Sequence, residues 1–122
     1  MAIEDWSDRV IIAHLSGEPQ FSDDLQSIAD RIGSSQQQQS HSPQQQSMDV
    51  VLNFAGLRFV TSSQIAQLLK LRKDLASGGT RLLLCGVDAQ VWGSFLVTGI
   101  DKAFEFSDAV PTALATLQLS RA

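Results

Sequence analysis

DVVLNFAGLRFVTSSQIAQLLK, residues 49–70, joins two hydrophobic patterns across a polar hinge. DVVLNF at 49–54 is a near-continuous apolar run, the signature of a strand buried on both faces. From Thr61 onward, Ile65, Leu68, Leu69 and then Leu75 form a helical stripe, with Gln67, Lys70, Lys73 and Asp74 left for water. Between the two patterns stand three consecutive hydroxyl residues, Thr61, Ser62 and Ser63. Thr61-Ser62-Ser63-Gln64 fits the capping box, in which Thr61 accepts from the first turn and Gln64 reaches back to the Thr61 N–H. One cap needs one hydroxyl, and here there are three. A hydroxyl at a helix start is also where a phosphate, adding about two negative charges, meets the positive end of the helix dipole. Residue chemistry alone leaves cap and switch both open.

The same alternation extends outward. VIIAHL at 10–15 reads as a buried strand and SGEP after it as a turn. Ser22-Asp23-Asp24 opens a helix whose inner face is Phe21, Leu25, Ile28, Ala29 and Ile32, with Gly33 as its stop. Residues 34–47, SSQQQQSHSPQQQS, have no large apolar side chain to offset the entropy of ordering them, and read as a mobile inserted loop. Beyond the central helix, closed by Ser77-Gly78-Gly79, RLLLCG at 81–86 is a second buried strand. A helix over 88–98 buries Val91, Phe95 and Trp92 and stops at Gly99; AFEF at 103–106 is a strand. Ser107-Asp108 opens a last helix, which tolerates Pro111 in its first turn and turns Ala113, Leu114 and Leu117 inward. Buried strands alternating with amphipathic helices predict an α/β domain with parallel strand pairs.

With 122 residues the chain fits one domain, 1–122. A net charge of −4 without a basic run argues against nucleic acid and anionic membrane as partners. Cys85 is the only cysteine, which excludes an internal disulfide and a cysteine metal cage and fits a reducing compartment. MAIEDWSD lacks the basic start and apolar core of a signal peptide, and no apolar run approaches the roughly 20 residues a span requires, so the expectation is a cytoplasmic protein without direct membrane insertion. His14 lies inside a strand and His41 in the glutamine loop, neither spaced from a cysteine or carboxylate as a ligand or nucleophile pair would be. No GxGxxG or GxxxxGK[ST] cradle is present, and Cys85 reads as a small hydrophobe. The expectation is no catalytic residue, no metal and no cofactor.

Four stretches in order resemble the STAS domain, the family of bacterial anti-sigma-factor antagonists: LSGE at 15–18, VVLNFAGLRFVTSSQIAQLL at 50–69, GGTRLLLCGV at 78–87 and VWGSFLVTGIDKAFEF at 91–106. They correspond to the family's L-T-G-E, its strand followed by F-x-D-S-S-G and a long helix, its G-G-x-L-x-L-x-x-V and its V-x-x-x-F-x-x-[ST]-G-[LI]-x-x-x-F-x-F. The resemblance implies a mixed central sheet of about four to five strands carrying four helices, and a non-catalytic role in protein–protein binding. The partner it implies is an anti-sigma factor with a serine-kinase ATPase fold, released by phosphorylation of the first serine of D-S-S-G, which aligns with Ser62. Thr61 and Ser63 are the alternative acceptors, threonine standing near this position in some stressosome-type relatives. The implied partner surface is Glu18, Gln20 and Phe21 with Phe59, Thr61, Ser62, Ser63, Gln64, Gln67 and Leu68. Departures are Thr61 for the usual aspartate, Gln64 for glycine and Gln20 for an acidic residue. A rival reading from the same resemblance is an accessory subunit of a phospholipid-transport ATPase or a stressosome component. Whether the domain forms a homodimer stays open.

Overall fold

Strands and helices alternate along the chain in the computed structural model, which describes residues 3–6, 10–39, 49–76 and 80–121. The strands are β1 (Ile3–Asp5), β2 (Val10–His14), β3 (Asp49–Asn53), β4 (Arg81–Cys85) and β5 (Glu105–Ser107). The helices are α1 (Gln20–Gln39), α2 (Ser62–Ala76), α3 (Ala89–Thr98), α4 (Ile100–Ala103) and α5 (Val110–Arg121). The sheet runs β1-β2-β3-β4-β5, antiparallel between β1 and β2 and parallel thereafter.

This strand order fixes the layers. Each parallel crossover steps to the next strand in the same direction, and right-handed connections then place all the connecting helices on one face. The alternating side chains agree. Ile11, Ala13, Val50, Leu52, Leu82 and Leu84 join the core with residues of α1 to α4, including Phe21, Leu68, Phe95 and Ile100. Val10, Ile12, Val51, Leu83 and Cys85 point the other way, against Ala113 and Leu117 of α5. The near-continuous apolar strands are therefore buried on both sides, as their pattern predicts.

The mixed sheet is the α/β architecture expected, with differences in detail. The three residues of β1, IED, include two acids and carry no readable alternation; the edge strand exists because it pairs Ile3 with Ala13 of β2. A fifth helix, the single turn α4, follows Gly99, whose left-handed backbone (φ 81°) closes α3 and redirects the chain. β5 begins two residues later than the AFEF reading and ends one residue later.

Helix α1 starts before Ser22 and passes through Gly33 to Gln39, so 34–39 is helix, not the expected loop. Glutamine is a good helix former and one interior glycine costs only about 1 kcal/mol, so an established helix extends through Gly33. The rest of the expected loop, and Ser77-Gly78-Gly79, lie outside the described residues. In α2 the buried stripe is Gln64, Leu68, Leu71 and Leu75; Leu69 is 42% exposed, so the stripe is rotated from the one expected.

Candidate functional site

The segment from β3 to α2 is anchored at both ends. Asn53, the last residue of β3, uses both ends of its amide. Its Oδ1 accepts from the Ala55 N–H at 3.0 Å, and its Nδ2 meets His14 Nδ1 at 3.0 Å. Because Oδ1 is committed to an N–H, Nδ2 is the donor and His14 accepts. His14 Nε2 then carries the ring proton and faces the Glu4 carboxylate at 3.4 Å. His14 is thus a strand residue that ties β1, β2 and β3 together. Gly86 (φ 67°) packs against this junction; a Cβ there would fall 2.7 Å from Asn53 Oδ1, which leaves glycine as the residue that fits.

At the other end the capping box is formed in full. Thr61 Oγ1 accepts from the Gln64 N–H at 3.1 Å, and Gln64 Oε1 accepts from the Thr61 N–H at 3.0 Å. Glu18 acts at the start of α1: it accepts from the Ser22 N–H at 3.0 Å and from Ser22 Oγ at 2.7 Å. Ser22 is therefore capped by Glu18 rather than acting as the cap itself. These bonds, Ser22's side chain foremost, hold the Glu18 carboxyl below its usual pKa. One carboxylate thus caps the first turn of α1.

The structure thus joins Thr61 and Gln64 in one reciprocal hydrogen-bonded pair, with Ser62 and Ser63 between them in the chain. The cap uses Thr61, and both serine hydroxyls stand exposed. Gln20 is exposed at the start of α1, its amide donating to Asp24 at 2.8 Å. Three residues expected on a partner surface lie inside instead. Phe21 and Leu68 are fully buried core residues, and Gln64 is buried with its side chain bonded to the Thr61 N–H. A helix turns residues three and four apart to the same face, and the residue pattern around 59–68 did not resolve which ones face inward.

Sequence reasoning missed the wall opposite Ser62. A groove of about 580 Å³ separates α2 from α3, with Val60, Ser62 and Ile65 on one side and Gly93, Val97 and Thr98 on the other. Phe59 is 73% exposed and Val97 86% exposed at this end. The signal was present in Phe95-Leu96-Val97, where a short helix carries more apolar residues than one buried face requires. Among the described residues no group of His, Cys, Asp and Glu is arranged to hold a metal ion. Burial pushes the Cys85 thiol up to about 11, away from a reactive thiolate.

The mixed sheet thus carries α1 to α4 on one face and α5 on the other, with two exposed serines at the capped start of α2. The family model of the STAS domain matches residues 6–113, and the chain belongs to this family. Among solved structures, a serine-to-glutamate variant of Moorella thermoacetica RsbS superposes with a TM-score of 0.76 at 12% identity, covering 100% of both chains. A Planctomyces limnophilus anti-sigma-factor antagonist (STAS) domain protein matches at 0.64 and 20% identity over 89% of this chain and 91% of that one. A structure described as the molecular architecture of the stressosome matches at 0.65 and 15% identity, over 98% and 99%. No curated protein matches the chain. No helix among the described residues is long and apolar enough to cross a membrane.

Proposed function

We propose that the chain is a non-catalytic, phosphorylation-controlled binding domain of the anti-sigma-factor-antagonist type, acting in the cytoplasm on a partner anti-sigma factor with a serine-kinase ATPase fold. The observation that carries this reading is the division of labour among the three hydroxyls. Thr61 closes the capping box with Gln64, while Ser62 stands exposed on the rim of the α2–α3 groove. A phosphate on Ser62 would be favoured by the helix dipole and would introduce charge beside exposed Phe59 and Val97, where an apolar partner contact could no longer be desolvated. Ser62 is the proposed acceptor, ahead of Ser63; Thr61 is already engaged. The proposed partner surface is Phe59, Ser62, Ser63 and Gln67 with Glu18 and Gln20, without buried Phe21, Gln64 and Leu68.

The test is capture from lysate of the source cells with wild type, Ser62→Ala and Ser62→Asp, followed by affinity measurement with the purified partner. A kinase-type ATPase retained by wild type and Ser62→Ala but lost with Ser62→Asp is the expected result. Equal affinity for all three forms would remove the switch from Ser62.

A second reading, a component of a stressosome-type assembly, draws on the end-to-end likeness to the RsbS variant and the stressosome structure. Sedimentation of the native complex separates the two, since an assembly component elutes in a large particle and a soluble antagonist in a small complex.

A further inference from the structure

The outer face of α2 continues past the Ser62 end. Ser62, Ile65, Leu69, Arg72 and Ala76 follow one another at i, i+3 and i+4 steps, so they lie on a single stripe. Ser62 and Ile65 line the groove against α3, and Leu69, partly exposed, comes next. Arg72 and Ala76 line a second groove of about 590 Å³ against α4, β4 and β5, together with Arg81, Lys102 and Glu105. The two grooves lie end to end along α2, as α3 leads into α4.

Their chemistry differs. The first is walled by Val60, Ile65, Gly93 and Val97; the second gathers three cations against one carboxylate. That is notable in a chain of net charge −4 with only 9 basic residues. Structural duties account for part of this charge. Arg81 pairs with Glu105 at 2.7 Å, and Arg72 Nε donates to the Ala103 carbonyl at the end of α4. Lys102 has no carboxylate partner among the described residues, and the Arg72 Nη groups have no such duty. Two positive charges, the Lys102 ammonium and the Arg72 guanidinium held at Ala103, therefore stand at this end of the stripe.

We infer that the outer face of α2 is one docking track, apolar beside Ser62 and cationic from Arg72 to Lys102, and that it takes a partner segment with apolar residues followed by carboxylates. Seven residues separate Ile65 from Arg72, so the carboxylates fall about 10 Å beyond the apolar anchors. Charge complementarity selects this occupant over a uniformly apolar or basic one and sets its direction along α2. The inference rests on the reading of the Ser62 end as a partner surface, and extends it by an element that phosphorylation does not touch.

The test uses the full chain and two synthetic 16-residue helix-forming peptides. Both carry leucines at i, i+3 and i+4 spacing in the first half; one ends in glutamates, its twin in lysines. Backbone-amide NMR titration should show the glutamate peptide shifting Ile65, Val97, Arg72 and Lys102 together, and binding about tenfold more tightly than the twin at low salt. Lys102→Glu should erase that preference, and it leaves the Arg72–Ala103 contact in place. Equal affinity of the twins, shifts that stop at Leu69, or no binding of either peptide would overturn the track. Ser62→Asp in the same titration separates the two readings. Loss of both peptides there, with twins that bind wild type equally, keeps the switch surface and removes the cationic end. An undiminished affinity for the glutamate peptide in Ser62→Asp, with its preference over the twin intact, keeps the track and removes the switch.

Discussion

Replacing Thr61 with alanine removes one hydrogen-bond acceptor from the start of α2 and little else, because the residue is exposed. The acceptor lost is the Oγ1 that receives the Gln64 N–H at 3.1 Å. The reciprocal bond, from the Thr61 N–H to Gln64 Oε1, uses backbone and survives. Half of the box is lost, and an N-cap threonine replaced by alanine costs about 1 kcal/mol. For a domain of this size that lowers Tm by roughly 3–5 °C. Ser62→Ala removes an exposed hydroxyl that the cap does not use, and should stay within about 0.5 kcal/mol of wild type. Thr61→Ser keeps an acceptor and should recover most of the loss. Urea unfolding of the three variants, with wild type, measures the differences directly. Finding Ser62→Ala as costly as Thr61→Ala would shift the cap by one residue and take away the free serine on which the proposed switch depends.

Two further outcomes follow from burial and charge. Leu68→Ala should cost about 2–5 kcal/mol and Leu69→Ala well under 1, since Leu68 is fully buried and Leu69 is 42% exposed; equal losses would contradict the orientation of α2. Glu18 has a folded pKa below its ordinary 4.5, so its capping of the Ser22 N–H and hydroxyl is fully present above the ordinary value and is lost as pH falls through the lowered one. The Ser22 amide should report this in an NMR acid titration, and a midpoint at or above 4.5 would show that the cap is absent in solution.

The fold was legible where strands are buried on both faces, because DVVLNF and RLLLCG leave no alternative to a covered sheet. The Thr61–Gln64 box was legible because its four residues contain both partners of both bonds. Features set by distant contacts were not. β1 exists only through its pairing with β2, and α4 only because Gly99 turns the chain. The rotation of the α2 stripe escaped for a related reason. Gln64 is drawn inward by its bonds to Thr61, which a hydrophobic period does not register, and Leu69 is left facing outward. The same error placed Leu68 and Phe21 on a partner surface, where apolar character alone does not distinguish a core residue from an anchor.

The closed capping box also bears on how a signal at this helix could be read. Gln64 stands where a glycine would leave the first turn open, and with Thr61 it completes two backbone hydrogen bonds before any modification occurs. A phosphate arriving on Ser62 would thus meet a finished helix end, with no loose segment to order and no second arrangement to select. The free domain would keep one shape in both states. Discrimination would then belong to the partner, which would sense altered charge on an unmoving surface, much as a lock senses a key whose blank is fixed and whose teeth alone differ.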